Sequence, residues 1–259
     1  MGILNTTPDS FFDGGRYNAV DNALVRTEKM LTEGADLIDV GGYSTRPGAQ
    51  EITPDEELRR VVSVIEAIIT RFPECIISID TFRASVAKAA VQSGASIIND
   101  VSAGDDDEQM IPLVAELNVP YILMHKQGNP QTMQNNPVYK DVVNEVLGYL
   151  AAKVTLLQSL GVHDMVIDPG FGFGKTVDHN FSLLKNMDKF SLLNVPILAG
   201  VSRKSLINKV LDIKAAEALN GTTVINTLAL LGGANILRVH DVREAKEAVI
   251  LTTKYSQTE

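Results

Sequence analysis

Eight short apolar segments, separated by longer stretches with helical spacing, are the feature that most constrains how this 259-residue chain folds. The segments are apolar at consecutive positions, which is typical of strands buried on both faces of a parallel sheet. We predict strands at residues 2–4, 37–40, 76–79, 96–98, 121–124, 165–167, 197–199 and 236–239.

The stretches between these strands have the spacing of amphipathic helices. The clearest carries apolar residues on one stripe between positions 58 and 69. Thr53 as N-cap, Pro54 at the first helical position and Glu56 closing a capping box mark its start. Asp241 and Glu244 predict a similar start for the last helix. Further helices are predicted at residues 19–33, 83–93, 108–117, 138–160, 179–189 and 215–231.

Eight strand–helix units in a chain near the typical ~250 residues predict a single (β/α)₈ TIM barrel. A doubly wound open sheet is the alternative architecture. No Pro- or Ser-rich linker and no block of charge divides the sequence, so we expect one domain over residues 1–259. The first strand begins almost at Met1, and we expect the natural protein to carry a segment before it.

In such a barrel the active site lies at the carboxyl ends of the strands. Polar residues do follow each predicted strand: Asn5; Ser44, Thr45 and Arg46; Asp80; Asn99 and Asp100; His125 and Lys126; Asp168; Ser202, Arg203 and Lys204; Arg238 and His240. Acids and an amide suit the donor-rich edge of a flat heterocycle, and cations suit a phosphate or carboxylate. The competing interpretation is that Asp80 and Asn99 only cap the helices that follow them.

Composition excludes several classes of protein. With 23 Lys plus Arg against 32 Asp plus Glu, the net charge is −9, the wrong sign for a general nucleic-acid binder or a polybasic membrane-surface protein. The single Cys75 cannot form an internal disulfide and fits a reducing compartment. We see no signal peptide and no membrane-spanning run, and we expect a cytoplasmic protein with small-molecule partners.

The segment GFGFGKT at residues 170–176 resembles a phosphate-binding loop but has the wrong spacing. A Walker A motif needs four residues between its glycines, and Gly170 and Gly174 enclose three. A dinucleotide fingerprint fails as well. We expect these glycines to let the backbone turn over a flat ligand. The four histidines lack zinc-site spacing, and His240 is the one we place at the site.

Seven segments together resemble the dihydropteroate synthase family of pterin-binding enzymes. They are GILNTTPDSF at residues 2–11, GGYSTRPG at 41–48, SIDT at 78–81, INDV at 98–101, DPGFGFGK at 168–175, SRKS at 202–205 and RVH at 238–240. The resemblance implies a (β/α)₈ transferase of folate biosynthesis, a sulfonamide target. Such an enzyme joins 6-hydroxymethyl-7,8-dihydropterin pyrophosphate to p-aminobenzoate by an S_N1-like path, giving 7,8-dihydropteroate and pyrophosphate.

The resemblance also implies roles for individual residues. The pterin site would comprise Asp80, Asn99, Met124, Asp168, Phe173, Lys204 and Arg238. The p-aminobenzoate site would comprise Thr45, Pro47, Phe171, Lys204 and Ser205. The pyrophosphate site would comprise Asn5, Thr45, Arg46, Arg238 and His240. Asp80, Lys204 and Arg238 would be catalytic, and Asn5 would be the single protein ligand of Mg²⁺, which takes its other oxygens from substrate and water. Arg46 and the loop at residues 6–15 would act as lids, and a homodimer is implied.

Two positions depart from the family pattern: Tyr43, where many members have Glu, and Lys126, where they have an apolar residue. Three other functions therefore stay open at this stage. They are a pterin-binding paralogue that is weak or inactive as a catalyst, a pterin-dependent methyltransferase, and an unrelated phosphate-sugar barrel. The SRKS segment and the pair Arg238 and His240 argue against the methyltransferase. The trio Asp80, Asn99 and Asp168 argues against the phosphate-sugar enzyme.

Overall fold

The computed structural model describes residues 1–6, 15–43, 51–128 and 137–258, and the side chains of residues 15–18 are not described. Strands β1–β8 are Gly2–Asn5, Leu37–Gly41, Ile76–Asp80, Ile97–Asp100, Tyr121–Met124, Met165–Asp168, Leu198–Ala199 and Ile236–Leu237. Helices α1–α9 are Gly15–Thr32, Pro54–Arg71, Ala84–Gln92, Met110–Leu117, Val142–Ser159, Val177–Lys185, Ser205–Leu211, Leu219–Leu231 and Val242–Ser256.

The eight strands form a closed ring of parallel neighbours. Strands β1 to β6 pair in chain order, and β7 pairs with β8. A bridge between Ile167 and Ile197 joins β6 to the start of β7, and a bridge between Gly2 and Val239 joins β1 to the end of β8. These connections confirm the predicted (β/α)₈ barrel over the open-sheet alternative.

Alternation along the strands divides the apolar residues into two cores. Residues such as Ile38, Val40, Ile77 and Ile79 face outward and pack against the helices. A separate, smaller cluster lies inside the barrel, where Met1, Ile122 and Leu198 are buried against Leu37, Ile97, Val166 and Ile236. This plug fills the barrel below its carboxyl-end mouth and forms the floor of that mouth.

The start of α2 confirms one capping prediction and corrects another. Thr53 accepts a hydrogen bond from the backbone N–H of Glu56 at 3.2 Å, as an N-cap does. The Glu56 carboxylate does not close a capping box. It pairs with Arg59 at 2.6 Å and Arg60 at 2.9 Å, because these cations lie three and four residues along the same helix face.

The helix predicted at residues 215–231 is in fact preceded by a helix that the sequence reading missed. Helix α7 covers Ser205–Leu211, a 3₁₀ turn covers Ala215–Glu217, and α8 follows. With seven residues and two buried apolar side chains, α7 is too short to show a helical period. The helix predicted at residues 179–189 likewise ends at Lys185 and is followed by a 3₁₀ segment at Met187–Leu193.

In the part of the chain that the structure describes, no helix is long and apolar enough to cross a membrane.

Candidate active site

The inward side chains at the carboxyl ends of the strands form one polar layer. Asn5 pairs in register with Gly41, Gly41 with Asp80, and Asp80 with Asn99. Since alternate residues of a strand face the same side, these residues point into the barrel mouth above the apolar plug. Gly41 leaves space there, because a Cβ at this position would lie 3.7 Å from Asn5 Oδ1 and 3.6 Å from Asp80 Oδ2.

Arg238, directly after β8, is held by two carboxylates, Asp39 and Asp80. Its Nε donates to Asp39 Oδ2 at 2.6 Å, and its Nη2 donates to Asp80 Oδ2 at 2.5 Å. Two contacts on different nitrogens fix the plane of the guanidinium. Asp39 was not among the predicted site residues. The sequence did indicate it in one way: Asp39 is a charged residue within the apolar run of β2, at a position whose side chain faces the barrel interior.

Asn99 also contacts Asp39, with its Nδ2 donating to the two carboxylate oxygens at 3.2 and 3.3 Å. Neither Asp80 nor Asn99 caps a helix, so the capping interpretation is wrong. The first N–H of α3 is instead satisfied by Asp107, 2.8 Å from Ala84 N.

Asp100 turns away from the mouth. It accepts hydrogen bonds from Ser102, Gly104 and the Tyr121 hydroxyl, and it therefore shapes the loop after β4.

Asp168 and Lys204 converge on a glycine at the opposite wall. A Cβ at Gly200 would lie 3.6 Å from Lys204 Nζ and 3.7 Å from Asp168 Oδ2. The other Asp168 oxygen accepts from Gly170 N at 2.7 Å. Lys204 Nζ donates to the Phe171 carbonyl at 2.6 Å and lies 4.7 Å from the centroid of the Phe173 ring. A carboxylate, an ammonium and an aromatic ring thus border one slot.

Burial dominates the protonation of this slot. It raises the pKa of Asp80 to about 7; Arg238 opposes the shift and Asp39 adds to it. Burial also raises the pKa of Asp168, against Lys204, and lowers the pKa of Lys204 to about 8, against Asp168. The neighbouring cations therefore offset the burial of these acids only in part, and a ligand with donors or positive charge would add to that compensation.

The glycine-rich loop is organised by a lysine that the sequence reading left without a role. Lys175 is 2% exposed. Its Nζ contacts His125 Nδ1 at 3.0 Å and donates to the carbonyls of Gly170 at 2.9 Å and Phe173 at 3.1 Å. Burial lowers the pKa of Lys175 to about 7. Lys175 thereby holds the backbone that supplies Gly170 N to Asp168 and the Phe171 carbonyl to Lys204.

Gly170 is required in this loop for two reasons. Its φ is +71°, in the left-handed region, and a Cβ there would lie 1.8 Å from the His125 carbonyl oxygen.

His240 lies after the last strand beside Ser202. Its ring Nδ1 is 3.0 Å from Ser202 Oγ, which also accepts from the His240 backbone N–H at 3.2 Å. A hydroxyl can accept from both groups or donate to the ring nitrogen, so this contact fixes the position of the imidazole ring and leaves its tautomer open. Ser202 therefore orients the His240 ring.

Arg203, between Ser202 and Lys204, has a structural role. It makes two hydrogen bonds to Asp241, each 2.8 Å long. Asp241 therefore does not use its side chain to cap α9, as was predicted; it ties the loop after β7 to the start of that helix.

The remaining predicted residues fall into three groups. Met124 is buried in register with Asp168, and Phe173 is half-buried. Phe171 is fully buried in the outer core, so its carbonyl, which binds Lys204, is the part that borders the slot. Ser205 is exposed at the start of α7. Thr45, Arg46, Pro47 and residues 7–14 of the predicted lid lie outside the described residues.

The two departures from the family pattern have local partners. The Arg83 guanidinium lies 5.3 Å from the centre of the Tyr43 ring, and the Tyr43 ring meets Phe82 edge-on. Lys126 pairs with Asp106 at 2.5 Å. Both contacts are made outside the slot between Asp80, Asp168 and Lys204.

Comparison with known proteins agrees with this geometry. A family model described as pterin binding enzyme matches residues 1–240. Dihydropteroate synthase of Escherichia coli (strain K12) is 45% identical over 251 residues, covering 96% of this chain and 88% of the relative. The Yersinia pestis dihydropteroate synthase structure with a sulfonamide drug complex has a TM-score of 0.93 at 39% identity, covering 100% of this chain and 94% of that one. The Xanthomonas albilineans dihydropteroate synthase structure with 4-aminobenzoic acid has a TM-score of 0.93 at 40% identity, covering 100% and 93%. The chain therefore belongs to the dihydropteroate synthase family of pterin-binding enzymes.

Proposed function

We propose that this chain condenses 6-hydroxymethyl-7,8-dihydropterin pyrophosphate with p-aminobenzoate to form 7,8-dihydropteroate and pyrophosphate. The observation that carries the proposal is the slot at the barrel mouth, where Asp80, Asn99 and Asp168 lie with Lys204 and Arg238. Acceptors on one side and cations on the other suit a heterocycle that presents N–H donors along one edge and a carbonyl on another.

The contacts of each side chain define its role. Asp168 keeps one oxygen on Gly170 N and offers the other to the amino and ring N–H groups of the pterin. Lys204, beside the Asp168 carboxylate, donates to the pterin carbonyl. Arg238, fixed by Asp39 and Asp80, presents a guanidinium of set orientation to the ring and the leaving group.

The same residues support a dissociative reaction. Departure of pyrophosphate from the pterin methylene leaves a delocalised cation, so the protein needs no strong nucleophile or general base. Asp80 and Asp168 are buried acids whose pKa values are raised in the free protein. They stabilise positive charge as it develops in the ring, which is electrostatic preorganisation. The arylamine of p-aminobenzoate then attacks the methylene and loses a proton.

A divalent cation fits this site only together with the substrate. Among the described residues, no group of three or more His, Cys, Asp or Glu side chains is placed to hold a metal ion. Asn5 offers a half-buried amide oxygen at the end of β1. We propose it as the protein ligand of Mg²⁺, since Mg²⁺ keeps waters and takes substrate phosphate oxygens. When bound, Mg²⁺ would neutralise charge on the leaving pyrophosphate, beside His240.

A homodimer and a cytoplasmic location belong to the same proposal. Exposed apolar side chains are concentrated on neighbouring helices: Val210 and Leu211 on α7, Val224, Leu228 and Leu231 on α8, and Ile250, Leu251 and Tyr255 on α9. This concentration of exposed apolar side chains supports the proposal of a homodimer interface there. Sedimentation equilibrium tests the homodimer, with Leu228→Glu expected to give monomers.

The single buried Cys75 is compatible with a reducing cytoplasm.

The test is pyrophosphate release from the pterin pyrophosphate with Mg²⁺, with and without p-aminobenzoate. Release that depends on p-aminobenzoate, together with dihydropteroate formation, supports the synthase. Thermal stabilisation by the pterin pyrophosphate with no release would favour the pterin-binding paralogue. Stabilisation by methyltetrahydrofolate instead would favour the methyltransferase.

A further inference from the structure

Asp39 is a buried carboxylate at the centre of the barrel that no sequence motif assigned to the site. Asp39 lies on β2 two residues before Gly41, so its side chain also faces the barrel interior, and it is fully buried. Its partners are site residues two strands away on either side, Arg238 directly after β8 and Asn99 on β4. A buried charge is costly unless it is paired, so these contacts are firmly specified.

Those contacts determine which way the Asn99 amide faces. Asp39 Oδ2 already accepts from Arg238 Nε at 2.6 Å, and carboxylate oxygens are acceptors. The Asn99 group that meets Asp39 must therefore be the NH₂ group, in agreement with the 3.2 and 3.3 Å contacts from Nδ2. An amide is planar, with its oxygen on the opposite side from one of its two hydrogens. Asn99 therefore directs Oδ1 away from Asp39, toward the mouth of the barrel.

We propose that Asp39 is a positioning residue that sets ligand specificity by locking the Asn99 oxygen as an acceptor toward the slot. This inference rests on the proposed function and deepens it. The slot would then accept a heterocycle with an amino group at this edge, and it would reject one with an oxo group there. Rejection follows because two acceptors would face each other with no hydrogen between them.

Substitution of Asp39 by Asn gives an opposite and specific expectation. Arg238 Nε is always a donor, so the new amide must give it the oxygen and turn its NH₂ group toward Asn99. That NH₂ group takes the position of Asp39 Oδ1, 3.3 Å from Asn99 Nδ2, where two donors oppose each other. The conflict favours rotation of the Asn99 amide, which places its own NH₂ group in the slot, although the oxygen at the Oδ2 position still lies 3.2 Å from Asn99. Asp39→Asn thus changes the slot from acceptor to donor at one point, with almost no change in volume.

The double variant D39N/N99D reverses that change. The amide at position 39 still accepts from Arg238 and donates to the new carboxylate at position 99. The second oxygen of that carboxylate again faces the slot as an acceptor. Every hydrogen bond of the wild-type cluster has a counterpart, so this variant carries the test even where the single variant folds poorly.

The experiment is calorimetric binding of 6-hydroxymethylpterin and 6-hydroxymethyllumazine, in which an oxo group replaces the 2-amino group. Wild type should prefer the pterin. For Asp39→Asn we expect the pterin affinity to fall about tenfold to a hundredfold, with the ratio of the two affinities moving toward the lumazine. The double variant should restore the wild-type ratio. Ser78→Ala is the matched control, because Ser78 pairs in register with Asp39 and its buried hydroxyl makes no hydrogen bond with the described residues.

An unchanged affinity ratio in Asp39→Asn overturns the proposal, as does a double variant that selects no better than the single one. A proportional loss of both ligands in Asp39→Asn would mean general collapse of the slot and would also overturn it. These measurements use ligands without a leaving group. A wild-type protein that selects pterin but never forms dihydropteroate would refute the proposed function and leave the role of Asp39 intact.

Discussion

Replacing Asp168 with Asn tests the role of the buried acid in pterin binding. Asp168 uses one oxygen for Gly170 N at 2.7 Å, and an Asn oxygen retains that bond. The amide NH₂ group then occupies the position of Oδ2, near Gly200 and Lys204. A charge-assisted acceptor becomes a donor that faces the donors of the ligand, a loss of about 2–3 kcal/mol.

That loss corresponds to a Kd for pterin pyrophosphate about 30 to 150 times higher. Isothermal calorimetry at neutral pH with Mg²⁺ measures it directly. Burial raises the pKa of Asp168 in the free protein, so removing the charge should leave the midpoint of urea unfolding unchanged or higher, which separates binding from stability. A variant Kd within about threefold of wild type would refute the reasoning.

Four further predictions concern protonation, space and orientation in the same site. Burial raises the pKa of Asp80 to about 7 in the folded protein, whereas an unfolded Asp has a pKa near 3.9. The free energy of unfolding should therefore fall as pH rises between about 4 and 7, by up to about 1.4 kcal/mol per pH unit. In urea titrations Asp80→Asn should lack this contribution, and the same pH dependence in both proteins would contradict the assignment. Gly170→Ala, with its Cβ 1.8 Å from a carbonyl oxygen, should destabilise the fold by about 3 kcal/mol or more. Gly200→Ala should fold normally, because its Cβ would lie 3.6–3.9 Å from its neighbours, at ordinary contact distance. That Cβ would occupy space in the slot and should raise KM for the pterin about tenfold. Equal unfolding midpoints for the two alanine variants would be inconsistent with this distinction. Ser202→Ala removes the hydroxyl that orients the His240 ring and should weaken product inhibition by pyrophosphate about threefold to tenfold. Unchanged inhibition would argue against a contact between His240 and pyrophosphate.

The strands and the barrel could be predicted because burial on both faces leaves continuous apolar runs in the sequence. Short elements could not be predicted in the same way. Helix α7 has seven residues and carries no complete period. The capping expectations for Glu56 and Asp241 failed because each acid has an Arg within reach, and a local motif does not say which partner an acid will choose.

The polar rim of the site was predictable because strand ends in a barrel meet at one face. The network beneath it was not. Asp39 and Arg238 are 199 positions apart in the chain, and Asp39 is one charged residue within an apolar strand. Lys175 lay in a segment that matched the family, but no role was assigned to it. It acts through carbonyls of its own loop and through His125, 50 positions away after the neighbouring strand β5, and no local motif indicates that contact.

If buried acids stabilise the cation formed as pyrophosphate leaves, their loss must slow the single-turnover release of pyrophosphate. Wild type and Asp80→Asn are compared with both substrates saturating, since the Asn oxygen still accepts from Arg238 Nη2. We expect release to slow about 10²- to 10³-fold in the variant, with dihydropteroate appearing as fast as pyrophosphate in each protein. Equal rates of release in the two proteins would contradict the claim.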